Sequence, residues 1–120
     1  MTDRKLFNHR VRWLRRNFPL SYPVKVLLCS PGKIKKSNPQ ADLGICEIFG
    51  CEPDHERSER RPNCFRILVR DNLTEENTTQ VLFHEWAHAL RAHIYLYGDL
   101  NADDPIRALI EDEIWRKWHG

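Results

Sequence analysis

Two histidines and a glutamate, within Val81-Leu82-Phe83-His84-Glu85-Trp86-Ala87-His88-Ala89-Leu90, are the residues of this chain best suited to chemistry. His84 and His88 are four apart, and residues at that spacing lie one above the other on the same face of an α-helix. Two imidazoles so placed converge on one point. Neutral imidazole suits Zn²⁺, and a catalytic zinc usually takes three protein ligands and leaves a fourth position to water. Glu85 sits one residue round the helix from His84, close enough to take a proton from that water without being a ligand itself. The H-E-x-x-H spacing therefore points to metal-assisted hydrolysis.

The competing reading is a helix that carries these three side chains by chance. Helical phase argues against it. Leu82, Phe83, Trp86, Ala87, Leu90 and Ile94 fall opposite the histidine pair, as needed when one face of a helix is core and the other lines a cleft.

The elements that must position this helix can be read from periodicity. Phe7, Val11, Leu14 and Phe18 repeat at amphipathic spacing, which predicts a helix over Arg4–Asn17 that stops at Phe18-Pro19. Its apolar stripe should pack on the sheet or on the histidine-bearing helix, leaving its arginines in water. Tyr22–Cys29 reads as a first strand and Leu43–Phe49 as a second, with a polar loop over Lys33–Asp42 between them. Gly50–Asn63 carries prolines and many charges and reads as a mobile loop joining a hairpin. Cys64–Arg70 is a third strand, with Phe65, Ile67 and Val69 on one face. Thr74 is an N-cap, and Glu75 and Glu76 favour the positive end of the helix that follows to about Ile94. A last helix runs from Ile106 to about Trp118, with Ile106, Ile110 and Ile114 on one face and Pro105 near its first turn. The expected fold class is α+β, a single domain spanning 1–120.

Composition narrows the function classes. The chain has 120 residues, 41% of them hydrophobic and 30% charged, which describes a globular domain with one core. It has no apolar run of membrane-spanning length and no secretory-type apolar segment near its start, so a cytoplasmic location is expected. Cys29, Cys46, Cys51 and Cys64 are then expected as reduced thiols. A structural zinc on Cys46, Cys51, His55 and Cys64 lacks the supporting C-x-x-C pair. A net charge of +2 is too small to imply nucleic-acid binding by itself. Basic residues do cluster, at Arg4–Arg16, at Lys33, Lys35 and Lys36, and at Arg57, Arg60 and Arg61; these read first as solvated faces.

Taken together, the segments Tyr22-Pro23-Val24-Lys25-Val26, Gly44-Ile45-Cys46, Phe65-Arg66-Ile67, Leu73-Thr74 and Leu82–Leu90 resemble the SprT-like zinc metallopeptidases, in their short phage and bacterial form. The histidine-bearing segment is the specific part of that resemblance. It implies a minimal zincin fold, with the metal helix packed under a small sheet whose edge holds an extended peptide.

The same resemblance bears on the third zinc ligand. SprT-like proteins supply a histidine from a short segment ahead of a proline, with an aromatic residue four positions later. Asp103-Asp104-Pro105 occupies that place here, so Asp103 replaces the histidine and Arg107 the aromatic. Aspartate is an acceptable zinc ligand. A resemblance to the glutamate zincins puts forward Glu111 on the last helix instead. Glu113 and Asp104 are further alternatives, because helical phase alone does not choose between Glu111 and Glu113. Arg91 and Tyr95 share the face of the histidine pair and could orient a ligand, although solvent exposure is the simpler expectation. His9, His55, His93 and His119 have no partner at ligand spacing.

The expected activity is that of a zinc-dependent endopeptidase acting on a protein or peptide substrate. His84, His88 and a carboxylate would hold Zn²⁺, and Glu85 would be the general base. The alternative is a zinc-retaining binding or regulatory protein with little proteolysis, associated with DNA through its basic N-terminal helix.

Overall fold

The computed structural model describes residues 3–20, 23–40, 42–49, 64–94 and 105–120. Three strands form one mixed sheet. β1 (Val24–Cys29) runs parallel to β3 (Cys64–Arg70), and β2 (Gly44–Phe49) runs antiparallel to it, in the order β1-β3-β2. The central place of β3 follows from its composition: Ile67, Leu68 and Val69 are all fully buried, so both faces of this strand are covered. Such a continuous apolar run belongs in the middle of a sheet.

The two faces carry different helices. Ile67 and Val69 join Val24 and Cys46 on the face that meets α1 (Arg4–Asn17), α3 (Glu75–Ile94) and α4 (Pro105–His119). Leu68 points the other way and packs with Cys29 and Ile34. Ile34 comes from α2 (Pro31–Ser37), a short helix in the stretch expected to be a polar loop. The Ser30 side chain accepts from the Lys33 N–H, and Pro31 occupies the first turn. Serine followed by proline is a helix start, and the buried Ile34 anchors this short, two-turn helix. Among the described residues the architecture is therefore α+β with four helices and a three-stranded mixed sheet.

α1 has the expected bounds, capped by Asp3, whose carboxylate accepts from the Lys5 N–H at 2.8 Å. Its stripe of Phe7, Val11 and Leu14 is buried, and it packs on α3. The rings of Trp13 and Phe83 stack at 5.8 Å, and the Trp86 indole Nε1–H donates to the Phe18 carbonyl at 3.0 Å. Not every arginine of α1 faces water. Arg10 is largely covered and pairs with Glu75 of α3 at 2.6 Å, and Arg15 donates to the Val24 carbonyl at 2.7 Å. The stretch 50–63, read as a hairpin loop, lies outside the described residues; the antiparallel pairing of β2 with β3 is the pairing a hairpin produces.

Candidate metal centre

α3 carries the histidine pair. Its start is the expected one, since Thr74 Oγ1 accepts from the Asn77 N–H at 3.2 Å. Its apolar face, with Leu82, Phe83, Trp86, Ala87 and Leu90, is buried against α1, α4 and the sheet. Phe83 is gripped on two sides, by Trp13 of α1 and by Trp115 of α4, whose ring lies 4.7 Å away. The next residue, His84, is thereby held in rotation and height.

The opposite face is less open than phase alone implies. Glu85 and His88 are buried, and only His84 keeps partial access to solvent. His84 Nε2 and His88 Nε2 lie 3.1 Å apart, with the rings in an edge-on arrangement. Two nitrogens bound to one tetrahedral cation at about 2.0–2.1 Å would be separated by about 3.3 Å. The observed spacing thus fits a shared metal closely. His84, Glu85 and His88 form the one group of potential ligands among the described residues, with their ligand atoms within 4.8 Å of one another. This group could hold a metal ion.

Glu85 occupies an environment that works against its charge. Burial pushes its carboxyl up to about 7, from an ordinary 4.5. His84 opposes that rise, the neighbouring Glu111 carboxylate adds to it, and Arg107 counters it. A carboxyl that exchanges its proton near neutrality is suited to general acid–base work.

The start of β2 passes close to the Glu85 side chain. A Cβ on Gly44 would lie 2.6 Å from Val81 Cγ1, 3.0 Å from the Leu68 carbonyl and 3.4 Å from Glu85 Cγ. Only glycine lets the strand come this near to α3. The Arg70 N–H donates to the Leu43 carbonyl at 3.0 Å. Leu43 is therefore turned toward β3, and by antiparallel alternation the backbone N–H and C=O of Gly44 point to the outer edge of the sheet. Beside that edge a cleft of about 500 Å³ opens in front of His84 and Glu85. Leu43, Leu73 and Val81 supply its apolar lining, and Asn77, Gln80, Asp42 and Glu111 its polar lining.

The candidates for a third ligand separate in space. Glu113 is exposed and pairs with Arg116, away from the histidines. Glu111 faces the site, but its Oε1 lies 3.1 Å from Nδ1 of His84, the ring nitrogen remote from His88. Its other oxygen accepts from Arg107 Nη1 at 2.8 Å. Burial disfavours the charge on Glu111, yet the hydrogen bond and charge of His84 and the Arg107 guanidinium outweigh this and hold its pKa below the ordinary value. Asp103, Asp104 and Tyr95 lie outside the described residues, as do Cys51 and His55. Cys46 packs into the core face of the sheet beside α3 and Ile67, and Cys29 lies buried on the opposite face. His9 and His119 are exposed, the latter stacked on Trp115. Arg91 is half-buried rather than freely exposed.

Arg107 is a residue of the candidate site for which the sequence suggests no contact with the histidines, only the place of the family's aromatic residue. It is buried, and its Nη1 also lies 3.2 Å from His84 Nδ1. A signal was present: Arg107, Glu111 and Ile114 follow at helical spacing on one face, and Arg107–Glu111 is an i, i+4 pair of opposite charge.

Comparison with protein families, curated proteins and solved structures finds no match. Among the described residues no helix is long and apolar enough to cross a membrane.

Proposed function

We propose that this chain is a zinc-dependent endopeptidase of zincin type, as its resemblance to the SprT-like metallopeptidases implies. The observation that carries the reading is the 3.1 Å separation of the two Nε2 atoms, with a buried carboxyl of raised pKa on the same helix. His84 and His88 would hold the metal through Nε2, with a further ligand from Asp103 or another carboxylate. Imidazole is a good zinc ligand, and zinc is the metal the resemblance implies; when bound it would polarise a carbonyl and lower the pKa of water toward about 7.

The chain's own groups supply the rest. An extended peptide lies along the outer edge of β2, hydrogen-bonded to the backbone of Gly44, so that its scissile carbonyl sits over the histidine pair. The apolar walls formed by Leu43, Leu73 and Val81 receive a substrate side chain and exclude water from the cleft. Glu85 takes the proton from the attacking water through its carboxylate and delivers it to the departing amine, returning to its starting state. Proton uptake and release near neutrality match the raised pKa of this group.

The test is metal content and cleavage of a mixed peptide library by the purified protein. Wild type should hold one zinc and cut; Glu85→Gln should keep the zinc and lose cleavage by at least a hundredfold. His88→Ala should lose both. Zinc without any cleavage in wild type would favour the binding or regulatory reading, and cleavage unchanged in Glu85→Gln would end the proposed mechanism.

A further inference from the structure

We infer that Glu111 is a positioning residue that fixes the ring tautomer of His84, and that Arg107 anchors Glu111 for this task. The inference deepens the metal-site reading above, since it assigns the residues that prepare one ligand.

His84 Nδ1 lies 3.1 Å from Glu111 Oε1, and Glu111 Oε2 accepts from Arg107 Nη1 at 2.8 Å. A neutral imidazole has one N–H and one lone pair. If Nδ1 carries the hydrogen, it donates to a carboxylate, and the lone pair falls on Nε2, the atom that faces His88 across 3.1 Å. If Nδ1 instead carries the lone pair, it accepts from Arg107 at 3.2 Å but sets that lone pair against a carboxylate oxygen at 3.1 Å. The first arrangement sets Nδ1–H near the Arg107 guanidinium at 3.2 Å, but Arg107 Nη1 already donates to Glu111 Oε2, and the charge-assisted bond from Nδ1–H to the carboxylate favours it. A carboxylate that receives the outer N–H of a ligand histidine orients the ring and raises its basicity.

Arg107 makes the arrangement rigid. A carboxylate on a helix has several rotamers, and the one observed is selected by a buried guanidinium one turn earlier on α4. α4 is itself seated by Ile114 and by Trp115 against Phe83. The chain of contacts runs from the core through Arg107 and Glu111 to Nδ1 of His84. In this geometry Glu111 meets the ring nitrogen remote from His88, which separates its role from that of a metal ligand.

Three measurements test this. Ring ¹⁵N shifts of His84 in the metal-free protein, above the histidine pKa, report which nitrogen is protonated. Zinc affinity comes from competition with a chromophoric chelator. The visible spectrum of the cobalt-substituted protein reports the ligand set. Wild type should show Nδ1–H. Glu111→Ala should shift His84 toward Nε2–H and weaken zinc by about ten- to a hundredfold. Glu111→Gln, whose amide oxygen still accepts, should keep Nδ1–H, lose less than tenfold, and leave the cobalt bands in place. Arg107→Gln should move the His84 shifts in the direction of Glu111→Ala; unmoved shifts would remove Arg107 from the assignment.

The inference is overturned by Nε2–H in wild type, or by unchanged zinc affinity in Glu111→Ala. It is also overturned if Glu111→Gln costs as much as Glu111→Ala and alters the cobalt spectrum, the behaviour of a direct ligand. A wild type that shows Nδ1–H yet binds no zinc would sink the hydrolase reading and leave the role of Glu111 standing. Zinc binding and cleavage with Nε2–H would do the reverse.

Discussion

Replacing Glu85 with glutamine in the metal-free protein separates the cost of its charge from everything else the residue does. The folded-state pKa of about 7 lies above the ordinary 4.5. Below 4.5 the carboxyl is neutral whether the chain is folded or not, and the native state bears no charge penalty. As pH rises through 7 the buried group ionises, and the stability present at low pH is lost. At about 1.4 kcal/mol per pH unit, the full loss is about 3 kcal/mol. Glutamine has no such dependence. Its own cost of burying an amide is the same at every pH, so the stability difference between variant and wild type should move by about 3 kcal/mol in favour of the variant between pH 4 and pH 8.5. For a domain of this size that is on the order of 10 °C in melting temperature. Urea denaturation in the presence of a chelator, at four pH values across this range, measures it. A difference that stays flat across the series would show that Glu85 is not held in a charge-hostile site. The reasoning about its proton chemistry would then fail with it.

Metal should act on stability by mass action. Zinc at a hundredfold excess over its dissociation constant is expected to add about 2.7 kcal/mol to wild type, reversed by chelator and absent in His88→Ala; melting curves with and without metal decide this. Gly44→Ala places a methyl 2.6 Å from Val81 Cγ1 and should destabilise the fold by about 1–3 kcal/mol. Part of that loss should return in the double variant with Val81→Ala, and a neutral single variant would show that β2 yields at no cost. Ile34→Ala, at a fully buried position, should cost about 2–4 kcal/mol and expose the amides of α2 to hydrogen exchange before those of β3. Equal protection of both would contradict the anchoring role assigned to Ile34.

Much of the scaffold is legible along the chain because its signals are local. α1 and α3 have the bounds that capping and apolar spacing imply, and β3 runs where its β-branched and aromatic residues place it. α2 was hidden by composition. Its lysines and the proline and glycine around them read as loop, and only the Ser30-Pro31 start and the single buried Ile34 mark it as a helix. The arginines of α1 read as solvent-facing for the same reason: a sequence cannot say that Glu75 will come beside Arg10.

The site divides along the same line. That His84 and His88 share a face, that Glu85 stands beside them, and that the opposite face is core were settled by the sequence by itself, because four residues nearly complete one helical turn. Which of Glu111 and Glu113 comes beside His84 was not, because helical phase measured from Ile106, Ile110 and Ile114 leaves both at the flanks. Tertiary structure decided it by burying Arg107 along with Ile114. That burial turns α4 so that Glu111 reaches His84 while Glu113 stays in solvent. The approach of Gly44 to Val81 and Glu85 was decided in the same way, by the seating of β2 beside β3 over α3. Periodicity reports which residues share a face of one element. Which face meets which neighbour depends on how several elements fill a common core, and there a buried arginine paired with a carboxylate can take the place that an apolar residue was expected to hold.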